Sequence, residues 1–348
     1  MSLHDLTKDP VFQVNACLWL VLKPNSGQSN PESSYGKAGY VVRALAKKLG
    51  VSPATRLSFK AAALTPEPPV PDLLFRNAND GHHLVLECKA SGFTTSSSTA
   101  KQARKILIAC ADADNALGSP GEAFVVYVTS DDDALWLLST LEALTEELRV
   151  LELPSAVPAV IGLTIEDDGL YAVLNVARGA GEEKLGEIRG RRLITEGNPD
   201  EARPIYIIPY DPSAAENQDA DEKDYCLRLL TERVLIYCMH VIGLAVTPDC
   251  VYIDATDALK QATFNVSTRW RDNSDVDALR TRIASIIFST LNRGELKGRV
   301  DRSGFVVSVD LDTKDEQELA LSLLFKAQPS RLAEELANKQ SSIVDLGF

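Results

Sequence analysis

Apolar residues recur along this chain at two spacings, and each spacing predicts a kind of element. Residues 10–23 (PVFQVNACLWLVLK) are apolar almost throughout, so their period decides neither helix nor strand. A polar stretch follows at 24–32, rich in Asn, Ser, Gly and Pro, and reads as a loop. Ser33 or Ser34 is placed to cap a helix running to Leu49, with Gly50 as its stop and Tyr40, Val41, Leu45 and Leu49 as its apolar stripe. Residues 55–60 (TRLSFK) alternate and predict a strand, and the Pro-rich 65–71 predicts an extended connector. Residues 71–75 predict a second strand, Asp80-Gly81 a hairpin turn, and residues 82–90 (HHLVLECKA) a third strand. A Ser/Thr-rich loop at 91–98, a helix at 99–112, a strand at 123–129 and a helix at 134–148 complete this half.

Further on, residues 159–166 and 169–176 flank Asp167-Asp168 and predict a hairpin, and 204–209 (PIYIIP) predicts another strand. Residues 211–224 are acidic and turn-rich, the composition of a linker. Beyond it the pattern predicts helices at 225–244 and 275–291, a strand at 304–310, and helices at 316–326 and 329–338. The expected class is α/β (α+β). The expected domains are a core at 1–150, a β-rich extension at 151–212, an acidic linker at 213–223 and an α+β domain at 224–348 for specificity or partner binding.

Composition narrows the classes of function. The 348 residues are 45% hydrophobic and 24% charged, which excludes overall disorder and fibrous rods. Apolar runs are too short to cross a membrane, the best (234–246) being broken by His240 and Gly243. The start of the chain carries Asp5 and Asp9 and has no apolar stretch of the secretory kind, so a cytoplasmic protein without membrane partners is expected. Six scattered cysteines form no C-x-x-C pair, which argues for reduced, buried thiols and against zinc. The net charge of −13 is unevenly spread: residues 1–117 hold 13 Lys and Arg against 9 Asp and Glu, and residues 118–348 hold 23 against 40. The basic surplus favours a nucleic-acid partner for the first part, and the acidic half suits a protein partner. His240, on an apolar helix, reads as a core histidine.

One constellation carries chemistry. Asp72 heads one predicted strand, and Glu87-Cys88-Lys89 ends the next. Strand alternation puts Glu87 and Lys89 on one face and Cys88 on the other, and a tight hairpin brings Asp72 beside Glu87. Two carboxylates and an ammonium at one sheet end suit a hard divalent cation and phosphodiester hydrolysis. E-x-K recurs at Glu182-Glu183-Lys184 and Glu295-Leu296-Lys297, but there in Gly-bounded polar turns.

On Pro71-Asp72 and Glu87-Cys88-Lys89 the chain resembles the PD-(D/E)XK nuclease superfamily, whose restriction-endonuclease-like core is a mixed central sheet flanked by helices in the order α-β-β-β-α-β. The resemblance spans about 100 residues, from 33 to 129. It implies a Mg²⁺- or Mn²⁺-dependent endonuclease, with DNA as the leading substrate and restriction or anti-phage defence as the setting. It implies that Asp72, Glu87 and the Cys88 backbone carbonyl are metal ligands, with Lys89 catalytic. A first-helix acidic ligand is sought at Glu32. Some branches carry Q-x-x-x-Y after the lysine; here Gln102 is followed by Ile106 where Tyr would stand. Ser96, Ser97, Ser98, Lys101, Gln102, Arg104 and Lys105 are the candidates for contacting a phosphate backbone. The alternative expectation is a non-catalytic scaffold subunit that keeps the fold and docks a protein partner. The sequence leaves the oligomeric state open.

Overall fold

The computed structural model describes residues 6–22, 35–177, 181–197, 206–208, 220–270 and 274–330. The chain forms two compact units, Met1–Ile205 with Arg269–Arg271, and Tyr206–Thr268 with Asp272–Phe348.

The apolar opening segment is a helix, α1 (Pro10–Val21). Asp9 caps it by accepting from the Phe12 N–H at 2.8 Å, and Pro10 fits the first turn because its missing N–H is not needed there. Every residue from Val11 to Val21 is buried, which is why its apolar pattern showed no face. The helix expected before Leu49 is instead a strand, β1 (Tyr40–Leu45). Tyr40, Val42 and Ala44 point inward and Val41 and Arg43 outward, so the period is two. Ser33, Ser34 and Glu32 lie outside the described residues. The strand expected at 55–60 is instead a helix, α2 (Pro53–Ala61). Ser52 accepts from the Thr55 N–H at 3.1 Å, Pro53 opens the first turn, and Thr55 and Phe59 form a buried i, i+4 pair.

From here the elements follow the expected order. Strands β2 (Leu73–Asn77) and β3 (His83–Cys88) form an antiparallel hairpin in the register Leu73↔Leu86 and Arg76↔His83, with Gly81 at φ +82° in its turn. Helices α3 (Ser98–Ala111) and α4 (Ala113–Leu117) lead to β4 (Ala123–Ser130), which is buried along its whole length. Helix α5 (Asp131–Val150) follows, then the hairpin β5 (Val157–Glu166) and β6 (Gly169–Val176). A one-turn helix, α6 (Gly181–Lys184), precedes β7 (Gly190–Glu196), an edge strand that the polar GRRLITE pattern did not announce.

These strands make one mixed sheet in the order β1-β2-β3-β4-β5-β6-β7. The pairs β3/β4 and β4/β5 are parallel, and the others are antiparallel. Helices α3 and α5 cover one face, enclosing a core of Val85, Val125, Tyr127, Ile106, Leu107, Leu141 and their neighbours. Helix α1 contacts β1, β3 and β7. The expected strand at 204–209 is not seen: Tyr206, Ile207 and Ile208 are irregular, and the flanking residues lie outside the described set.

The second unit opens with α7 (Ala220–Gly243), so the last residues assigned to the linker are helical; 213–219 lie outside the described residues. A three-stranded antiparallel sheet has the order β8-β10-β9, from β8 (Asp249–Asp254), β9 (Val300–Ser303) and β10 (Val306–Leu311). It packs with α8 (Ala255–Ala262), α9 (Ser274–Leu291) and α10 (Lys314–Lys326), the last opened by a capping box of Thr313 and Glu316. Of the helix expected at 329–338, the residues beyond 330 lie outside the described set. No described helix is long and apolar enough to cross a membrane. The five cysteines at 17, 88, 110, 226 and 238 are buried and unbridged.

Candidate active site

The β2–β3 hairpin brings Asp72, Glu87 and Lys89 to one end of the sheet. The last β2 partner of β3 is Leu73 opposite Leu86, so the next β3 amide on that side, Cys88, has no carbonyl across from it. The Asp72 carboxylate fills the gap: its Oδ2 accepts from the Cys88 N–H at 2.6 Å. Asp72 thus extends the ladder by one rung, and the hairpin register fixes its position.

Glu87 lies on the face of β3 that also carries Val85, toward α3 and α5, and is 3% exposed. Its Oε1 accepts from the Lys89 ammonium at 2.7 Å and from the Gln102 side-chain N–H at 2.8 Å. Its Oε2 is buried and makes no hydrogen bond within normal limits. Burial pushes the Glu87 carboxyl above its usual range, against the pull of Lys89, the Asp72 backbone and Gln102. Burial alone would lower Lys89, but Glu87 and Asp72 outweigh it and hold the ammonium above its ordinary value. Tyr127, opposite Glu87 on β4, is wholly buried with its hydroxyl unbonded, and burial together with the Glu87 and Asp72 charges pushes it up. Both carboxylates therefore act on the same two neighbours, Lys89 and Tyr127.

Cys88 turns to the opposite face, where it meets Cys17 of α1. Helix α1 also secures the backbone of the site. Gln13 donates through one amide nitrogen to the Lys89 carbonyl at 2.9 Å and to the Thr7 carbonyl at 2.8 Å. This residue was missed in the sequence, although a glutamine and an asparagine on an otherwise apolar helix are a signal for buried polar work. No acidic residue lies on α1 itself, so the first-helix acidic ligand is not found there. Gln13→Ala is expected to destabilise the protein by about 1–3 kcal/mol, because a buried and a partly buried carbonyl lose their donor. Urea unfolding would measure it, and Gln13→Glu would fare no better, since a carboxylate cannot donate.

The backbone-contact candidates divide. Ser97 caps α3, accepting from the Ala100 N–H at 3.0 Å, and Ser96 lies 3.4 Å from the Thr94 hydroxyl. Arg104 is held by Glu147 at 2.5 Å and by the Thr95 carbonyl at 2.9 Å. Lys105 donates to Thr65 at 2.5 Å and to the Glu67 carbonyl at 3.0 Å. Both cations are therefore engaged within the protein. Gln102 serves Glu87, and the position of Ile106 is buried core. Lys101 is exposed and makes no side-chain bond to a described residue. With Ser98, Gln102, Lys105 and residues 63–65 and 68–70 it lines a cleft of about 480 Å³, and Gln102 links that cleft to Glu87.

Asp72 and Glu87 fit a hard divalent cation: an unbonded, buried carboxylate oxygen is the donor such an ion would satisfy, and Mg²⁺ characteristically takes one or two carboxylates and keeps several waters. Among the described residues no third His, Cys, Asp or Glu joins them in a compact ligand group. The two stray E-x-K triplets fall in α6 and in a single turn at Gly294–Leu296, not on strands. His82 and His83 lie at the other end of β3. His82 packs edge-on against Tyr40 and Phe124 and bonds the Tyr40 hydroxyl, a structural role. No family model matches the chain, and no curated protein or solved structure matches it significantly.

Proposed function

We propose that this chain is a metal-dependent endonuclease that hydrolyses nucleic-acid phosphodiester bonds, DNA foremost. The observation that carries the reading is the buried Glu87 carboxylate, with Lys89 and Gln102 on one oxygen and no hydrogen bond of normal geometry on the other, at the sheet end that also bears Asp72. The helix–strand–strand–strand–helix–strand order of the nuclease resemblance can be traced through α1, β1, β2, β3, α3 and β4, with α2 inserted. Its first helix and first strand are other segments than those expected, the remaining four are the expected ones, and the order supports the reading.

Asp72 and Glu87, with the Cys88 carbonyl, would hold Mg²⁺ or Mn²⁺, which when bound polarises a phosphoryl oxygen and acidifies a water. Lys89 faces the same carboxylates and carries a charge that can orient the attacking water and offset the charge growing on the phosphate. Gln102 holds the Glu87 carboxylate in place, and Gln13 holds the Lys89 backbone. The cleft beside Lys101 offers the neighbouring nucleotides a path past the α3 N-terminus. Restriction or anti-phage defence is the setting that the resemblance suggests.

The test is incubation with plasmid, linear single-stranded DNA and RNA, each with Mg²⁺, Mn²⁺ or EDTA. Cutting that EDTA abolishes is expected. No cutting of any substrate, together with no calorimetric binding of Mn²⁺, would leave the scaffold reading in its place.

A further inference from the structure

In the second unit, a groove of about 990 Å³ runs between α7 and the edge strand β8. Ile236, Tyr237, Leu244, Tyr252 and Phe264 line it, and Ile236, Leu244, Tyr252 and Phe264 are each more than half exposed. So much apolar side chain left in water along one groove marks an interaction site. His240, expected in the core, is exposed and also lines this groove.

Its wall is a strand edge. Sheet order places β8 outermost, paired with β10 alone among the described strands. The Ala255 N–H donates to the Phe305 carbonyl at 2.9 Å, which sets the alternation of the antiparallel ladder. Val251 and Ile253 then turn their backbone groups to β10, and Cys250 and Tyr252 turn theirs away from it. The same two residues alternate to the outer face of the strand, while Val251 and Ile253 are buried. An edge with outward N–H and C=O groups beside an apolar wall is the arrangement that accepts an added strand.

The charge around the groove states what kind of strand. Asp249 lines it, and Asp310 lies across from Cys250 on β10. Asp254 and Asp257 are close enough to help push the Tyr237 hydroxyl up, after burial. The nearby cations are occupied: Arg233 donates to the Tyr206 and Ala262 carbonyls, Lys260 pairs with Asp257, and Arg299 pairs with Asp312 and Glu316. A second copy paired antiparallel in the register centred on Tyr252 would set Asp254 of one edge opposite Cys250 of the other, which is flanked by Asp249 along β8 and by Asp310 on β10, like charge gathered against like.

We propose that this groove binds an extended segment of a partner protein, apolar or aromatic at alternate positions and flanked by Lys or Arg, which adds as a strand to β8. Backbone pairing with Cys250 and Tyr252 sets its register, and its apolar side chains enter the groove against Ile236, Leu244 and Phe264. This is independent of the nuclease reading.

The probe is a library of random twelve-residue peptides displayed on phage and selected on the full chain. Enriched peptides are expected to show the alternating apolar pattern with basic flanks, and their binding to weaken as salt rises. Hydrogen exchange should slow at the Cys250 and Tyr252 amides when a synthetic copy of an enriched peptide is bound. Tyr252→Pro removes an outward N–H and should weaken binding at least tenfold; Leu244→Lys, on an exposed position that folding does not need, should do the same. If the proline variant does not fold, the lysine variant decides alone. The proposal is overturned if nothing is enriched, if enriched peptides are acidic, or if their binding is indifferent to Leu244→Lys. It is also overturned if the full chain dimerises in sedimentation and Leu244→Lys makes it a monomer, which would assign the groove to a second copy.

Discussion

Lys89→Ala is expected to lower metal-dependent cleavage by about 10²–10³-fold, the loss typical when one charge-stabilising group is removed from a reacting centre. Metal binding should survive, because the ammonium competes with a cation for Glu87 and does not hold one. Glu87→Gln should lose both cleavage and Mn²⁺ binding, while Lys89 and Gln102 keep an oxygen to donate to, so the fold is preserved. Asp72→Asn is the matching change across the hairpin: its side-chain oxygen can still accept from Cys88, and its charge is gone. Calorimetry with Mn²⁺ beside a plasmid-nicking assay separates the three. Full cutting by Glu87→Gln would sink the assignment of this site.

Binding of the nucleic acid itself is better probed at Lys101 than at its neighbours. Reversing Arg104 or Lys105 would break contacts to Glu147 and to the 65–67 segment, so a loss of binding there would mix structure with recognition. Lys101→Glu touches no described ion pair and should weaken binding with a shallower dependence on salt.

How much of this was legible differs between the β2–β3 hairpin and its surroundings. A DG turn between two apolar runs is a local signal, and it placed Asp72 beside Glu87; the bond from the Cys88 N–H to the Asp72 carboxylate needed the register itself. The elements around residues 33–61 misled for physical reasons. Tyr40, Val41, Leu45 and Leu49 satisfy a helical spacing, yet Val41 is solvent-facing, and it is pairing with β2 that selects the strand. TRLSFK alternates, yet the Ser52–Pro53 start is a helix cap, and that signal outweighs six residues of alternation. In both places the hydrophobic period was ambiguous over a short window, and a cap or a distant strand settled it.

The site was half legible. Residue types and spacing pointed to Asp72, Glu87 and Lys89. The contributions of Gln102 and Gln13 depend on α3 and α1 packing against opposite faces of one strand, at separations of 15 and 76 residues, which no local pattern encodes. Strand β8 was missed because it is short, polar at both ends and exposed on alternate residues. Those traits are also what leave its edge available for an added strand.

The Glu87–Lys89 pair should also set part of the protein's stability, in a direction opposite to intuition. Lys89→Met alone leaves a carboxylate buried with one side-chain donor, Gln102, and is expected to destabilise by up to about 3–5 kcal/mol, nearer the lower figure because Lys89 keeps some contact with water. Adding Glu87→Gln to that variant removes the stranded charge, and the double variant should be as stable as the native protein or about 1–4 kcal/mol more stable. The pH dependence follows from the direction of the shift. Burial raises the Glu87 carboxyl in the folded state, so the native state binds its proton more tightly than the unfolded chain does. The stabilisation from that proton is full below the unfolded value, near pH 4.3, and is lost as pH rises through the raised folded value. The stability difference between native protein and Glu87→Gln should therefore shift toward the variant on going from about pH 4 to about pH 8. Mg²⁺ acts with the opposite sign, since it needs the ionised carboxylate: its thermal stabilisation of the native protein should grow over the same interval and be absent in Glu87→Gln. Urea midpoints for the four proteins across that range, with and without Mg²⁺, test both slopes. A native protein whose stability relative to Glu87→Gln rises with pH in the absence of metal would mean that Lys89 outweighs burial, and that Glu87 rests ionised before any cation arrives.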